Sequence, residues 1–115
     1  MKANIDLSSF IGVFSDVYEE GYCQHLIEAF EHHQSIGAGG NRQSANEGPY
    51  SAHKHIKDDY SIFCNGKNIR FDPFNGQSIS KIFFDGVQQC FDIYTEQFST
   101  LRDHVLSGTE FKMQK

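Results

Sequence analysis

The sequence predicts an α+β fold, a short antiparallel sheet with two helices, one of them long, packed on one face. Three observations carry that prediction. Phe83, Val87, Cys90, Tyr94, Phe98, Leu101 and Val105 recur at steps of three and four, the spacing of one helix face. Tyr22, Cys23, Leu26, Ile27 and Phe30 form a second, shorter stripe of the same kind. Around these stripes lie short apolar or alternating runs, the pattern of strands.

In chain order, Phe10 to Phe14 (FIGVF) reads as a short buried strand. Ser15-Asp16 then offers a helix N-cap, and Asp16 with Glu19 has the spacing of a capping box. The first helix is expected from about Val17 to His33. Glu19, Glu20, Gln24, Glu28 and Glu31 fall outside its apolar stripe, and His32-His33 close it, where imidazoles complement a helix C-terminus. Residues 34–52 (QSIGAGGNRQSANEGPYSA) are rich in Gly, Ser and Asn and have no periodicity, so they read as a flexible loop. A strand is expected within His53 to Phe63, and Asn65-Gly66 carries a local hairpin signal. Phe71-Asp72-Pro73 breaks whatever precedes it.

The long stripe predicts a helix from about Ile79 to Leu106, roughly 40 Å at 1.5 Å per residue. Ser107-Gly108 supplies its stop. A final strand starts beyond it, with Phe111 and Met113 on one face and Glu110, Lys112 and Gln114 on the other.

Composition narrows the function. The chain has 115 residues, the size of a single domain or part of one. Its 11 Phe and 5 Tyr supply large buried areas without any Trp. The formal net charge of -5 and the scattered Lys and Arg argue against nucleic-acid binding. No apolar run approaches the ~20 residues needed to span a bilayer, and the N-terminus lacks a signal-peptide core, so the expectation is a soluble cytoplasmic chain. Cys23, Cys64 and Cys90 are far apart, odd in number and flanked by apolar residues, a pattern of reduced, buried thiols rather than a disulfide framework or zinc knuckle.

The chemistry-bearing stretches are few. In HKHIKDD, His53 and His55 are two apart and share a face if extended; with Asp59 or Asp58 they are candidate metal ligands. A polar strand end with two surface histidines fits the same residues, and short motifs of this kind recur by chance. Gly37 to Arg42 (GAGGNR) resembles a phosphate loop only superficially, since it follows a helix and has no Gly-Lys-Ser/Thr. His25 is expected at the edge of the first apolar stripe and His104 near the end of the long helix. Glu19-Glu20 and Asp58-Asp59 lie outside any apolar run that would raise a carboxyl pKa. Nothing singles out a nucleophile, so no catalytic residue is assigned.

The order of these pieces resembles the N-terminal part of the 2-oxoglutarate and iron(II)-dependent oxygenases, in the prolyl-4-hydroxylase-like branch of bacteria and phages. The resemblance rests on Phe10 to Phe14, Glu19-Glu20, Cys23 and Leu26-Ile27, on HKHIKDDYSIF, on the long helix, and on EFKMQK as the next strand. It implies a partial double-stranded β-helix scaffold, with Fe(II) and 2-oxoglutarate as cofactors of a full-length parent. In that family the iron ligands H-x-D/E, the distal His and the basic residue for 2-oxoglutarate follow this strand. This chain contains no H-x-D or H-x-E, so no family residue is carried over. The expectation is an N-terminal fragment, inactive alone, because TEFKMQK lacks every stop signal. The alternative is a small binding or self-assembly module, forming a homo-oligomer through an exposed edge near Phe111 and Met113.

Overall fold

A computed structural model describes residues 1–41, 59–64, 71–101 and 111–115. The chain opens with a hairpin, β1 (Lys2–Asp6) and β2 (Ile11–Ser15), paired antiparallel with Lys2 opposite Ser15 and Asp6 opposite Ile11. Asp6 builds the turn between them. Its Oδ1 accepts from the Ser8 amide at 2.9 Å and from the Ser8 hydroxyl at 2.7 Å. The Phe10 amide donates to the Asp6 carbonyl at 3.0 Å, with Phe10 itself at φ +61°. The bonds from Ser8, with a weaker one from the Ser9 amide, hold the Asp6 carboxyl below its usual range.

Helix α1 (Glu20–Ser35) follows. The expected capping box at Asp16 does not form. Asp16 takes φ +57° and turns the chain out of β2, and Glu19 is the N-cap, with no side-chain bond to the helix. The helix therefore starts three residues later than its predicted Val17 and runs past His33 to Ser35. The amides of Ile36, Gly37 and Ala38 turn back onto the carbonyls of His32, Gln34 and His33, and Gly37 at φ +78° allows that exit.

A second sheet has the order β3-β4-β5, built from β3 (Gly40–Asn41), β4 (Tyr60–Cys64) and β5 (Phe111–Gln114), all antiparallel. The expected loop 34–52 thus contains the end of α1 and β3, and its residues 42–52 lie outside the described segments. Gly39 marks the approach of β3 to β4: a Cβ there would lie 2.4 Å from the Ser61 carbonyl oxygen. Asn65-Gly66 lies outside the described residues, but the same dipeptide recurs at Asn75-Gly76. There both residues have positive φ, and Phe74 and Gln77 exchange backbone hydrogen bonds in a tight hairpin turn.

Helix α2 (Ile79–Gln97) is shorter than the predicted span to Leu106. It ends where Phe98 leaves helical backbone, at φ -125° and ψ 84°, and a 3-10 turn spans Ser99–Leu101. Phe98 instead packs at a tilt against Tyr94 and Phe10, at centroid distances of 4.6 and 5.4 Å. Val105, Leu106 and Ser107-Gly108 lie outside the described residues.

The fold is α+β, with two short sheets where the sequence suggested one. Register assigns the faces of β3-β4-β5. Tyr60, Ile62 and Cys64 share a face with Phe111 and Met113, because Ile62 pairs with Met113 and Cys64 with Phe111. Both helices pack on that face. Phe30 of α1 meets Tyr60 edge-on at 6.1 Å, and Phe83 of α2 stacks on Phe111 at 4.4 Å. Tyr22, Phe30, Ile62, Cys64 and Ile79 are buried where the three layers meet. The hairpin lies on α2, where Gly12 leaves room for Tyr94 and the Tyr94 hydroxyl donates to the Phe10 carbonyl at 2.7 Å.

Candidate functional site

Helix α1 forms a ridge between two concave surfaces. On one side, a groove of about 390 Å³ runs between α1 and β5, lined by Leu26, Ile27, Phe30, Met113 and Gln114. It is mostly apolar. Ile27 is 55% exposed at its lip, and a Lys115–Glu31 ion pair of 2.9 Å crosses its rim. The helical stripe supplies the groove's floor and β5 its second wall, which is why neither segment shows the groove by itself in the sequence.

On the other side of α1, a cleft of about 400 Å³ is lined by His25, Glu28, Ala29, His32, His33 and Asp72. Two of its imidazoles are held in one tautomer. His33 Nδ1 donates to the Ala29 carbonyl at 2.7 Å, and His25 Nε2 donates to the Asp72 carbonyl at 2.8 Å, because a carbonyl only accepts. In the neutral rings, His33 Nε2 and His25 Nδ1 are then acceptors. Phe71 packs on His33 at 4.4 Å and Phe74 on His25 at 5.6 Å. This face of α1 is thus tied to the segment that leads into α2. The pairing of His25 with Asp72 spans 47 residues, and no local pattern reveals it.

The described residues contain no group of three His, Cys, Asp or Glu side chains placed to hold a metal ion together. Of the sequence-derived metal candidates, His53 and His55 lie outside the described residues. Asp59 immediately precedes β4, is buried, and accepts from Gln114 Nε2 at 2.7 Å. His104 also lies outside the described residues. The chain matches no family model, no curated protein and no solved structure.

Two of the thiols, Cys64 and Cys90, are unactivated rather than nucleophilic. Burial pushes Cys64 up to about 11 and raises Cys90 as well, the reverse of what a reactive thiolate needs. Cys23, expected to be buried, is instead exposed on α1, and Cys90 is only half-buried. Burial also raises Tyr18 and Tyr22 above the ordinary phenol range. Their hydroxyls donate to the carbonyls of Phe83 and Ile79 at 2.6 and 2.8 Å, so both serve to clamp α1 and its lead-in against α2. No helix among the described residues is long and apolar enough to cross a membrane.

The sequence has no H-x-D/E, and no metal-holding group of three stands among the described side chains.

Proposed function

We propose that this chain is scaffold rather than catalyst: the supporting part of a 2-oxoglutarate and iron(II)-dependent oxygenase-like protein, unable to turn over substrate alone. The reading is carried by the layering of α1 and α2 on one face of an antiparallel sheet, in the chain order that the resemblance implies. In this reading the double-stranded β-helix and its iron ligands come from sequence outside these 115 residues. The test is a 2-oxoglutarate turnover assay on the 115-residue chain with added Fe(II). The expected result is no turnover above buffer; iron-dependent turnover overturns the proposal.

A second reading rests on a separate observation, the apolar groove between α1 and β5. In it the chain is a small binding module that self-associates near Phe111 and Met113. Apolar concavities of this size are common ligand and partner sites. Met113→Asp places a charge in the groove wall. If self-association runs through this groove, the substitution abolishes it in sedimentation; an unchanged dimer removes this reading.

A further inference from the structure

The β1–β2 hairpin has two faces of opposite character. Ala3, Ile5, Gly12 and Phe14 share the face turned to α2, and Gly12 and Phe14 are partly covered there. The other face carries Lys2, Asn4 and Asp6 on β1 and Ile11, Val13 and Ser15 on β2, all exposed. Ile11 is 60% and Val13 58% exposed, and Leu7 and Phe10 at the turn are 59% and 65% exposed. Ile11 and Val13 are neighbouring apolar positions of this face, with Leu7 at the turn, while the Phe10 ring packs on Phe98; adjacent exposed apolar side chains of this kind mark interaction sites.

We propose that a second copy of this chain covers this face. Charge complementarity selects that occupant. Asn4 and Val13 are cross-strand partners at the middle of the hairpin, with Lys2 toward one end of β1 and Asp6 toward the other. A two-fold axis through Asn4 and Val13, lying in the interface, sets β1 antiparallel over β1 of the second copy. Lys2 then faces Asp6 of the other chain, twice by symmetry, while Val13 meets Val13 and Ile11 meets Ser15. Such an isologous contact closes on itself and makes a dimer. The hydrogen bonds from Ser8 favour the charged form of Asp6, which keeps it able to pair with a cation. Each strand has five residues, so the face is about 17 Å long and falls short of the ~800 Å² per partner of a stable complex. The dimer is therefore weak and reversible, and salt weakens it further because its ion pairs lie at the rim.

This surface is distinct from the groove beside β5, and the experiment separates the two. Sedimentation of the full chain over a concentration series is expected to show a monomer–dimer equilibrium. Val13→Glu should abolish dimerisation, and Lys2→Glu should weaken it about tenfold by setting two acids face to face. Met113→Asp should leave it unchanged. Asp6 also holds the turn, so the charge swap Lys2→Glu with Asp6→Lys is paired with circular dichroism to check the fold. A folded swap variant is expected to dimerise better than Lys2→Glu alone. A monomer at all concentrations overturns the proposal, as does a dimer that survives Val13→Glu or is lost only in Met113→Asp.

Discussion

Tyr18 donates its hydroxyl proton to the Phe83 carbonyl at 2.6 Å, and the same ring fills the space beside Gly86. A Cβ on Gly86 would lie 2.5 Å from the Tyr18 ring. Glycine inside a helix ordinarily costs ~1 kcal/mol relative to alanine. Here that cost is what lets α2 receive the tyrosine. Tyr18 stands just before α1 and Phe83 in the second turn of α2, so the contact joins the two helices near their N-terminal ends.

Gly86→Ala is therefore expected to destabilise the chain by about 1–2 kcal/mol, since overpacking outweighs the gain in helix propensity. In a Tyr18→Ala background the clash is absent, and the same Gly86→Ala change should stabilise by a few tenths to ~1 kcal/mol. Urea unfolding of the four variants measures this reversal of sign. The same sign in both backgrounds would show that Tyr18 is not what excludes a side chain at Gly86.

How much of this was legible in the sequence depends on the scale of the interaction. The steps from Phe83 to Tyr94 announced α2 because one helix face supplies most of the core contacts. Its end was not legible. Phe98, Leu101 and Val105 keep the helical period, yet Phe98 leaves the helix to pack on Phe10, which is 88 residues earlier. Strand β1 has no clear sequence signal because KANID has only Ala3 and Ile5 to place on α2, too few for an alternation. Asn75-Gly76 carries a hairpin signal identical to that of Asn65-Gly66, but it stands beside Pro73, which interrupts any flanking strand pattern. Of the candidate sites, neither the groove nor the histidine cleft has a motif, because each joins α1 to a segment at least 39 residues away.

Alkaline pH should loosen the core in a predictable order. The Cys64 thiol is pushed by burial from an ordinary value near 9 to about 11. Above pH ~9 the unfolded chain releases this proton while the folded chain keeps it, so the unfolded state binds fewer protons and stability falls as pH rises. The loss from Cys64 is on the order of 2 kcal/mol by pH ~11, and Tyr22 adds to it above pH ~10. Urea midpoints measured from about pH 8 to 10.5 should fall steadily. Cys64→Val should flatten the early part of that slope; a slope unchanged by the substitution would mean that another group titrates there.

The three thiols differ enough in exposure to be told apart chemically. Cys23 is exposed, Cys90 half-buried and Cys64 buried within β4. A small alkylating agent at neutral pH is expected to modify Cys23 first and Cys90 more slowly. Cys64 should react only when the chain unfolds, because burial both blocks the agent and disfavours the thiolate. Peptide mapping by mass spectrometry over a time course gives the order directly. Early labelling of Cys64 in the absence of urea would contradict the layering of α1 and α2 over β4.

Phe83 and Phe111 decide whether that layering holds the second sheet. Their rings lie 4.4 Å apart and 17° from parallel, with Phe84 edge-on to Phe111 at 6.4 Å. β5 has four residues and pairs with β4, a small ladder to keep in register by hydrogen bonds alone. The stack adds a side-chain contact from α2 that fixes which face of β5 turns inward. Aromatic pairs of this kind contribute about 0.5–1.5 kcal/mol beyond the area they bury. Phe83→Leu and Phe111→Leu should each destabilise by about 1–2 kcal/mol, and the double variant should lose less than the sum by about 1 kcal/mol. Strict additivity in urea unfolding would mean that the two rings act independently and that β5 is held to the helices by other contacts.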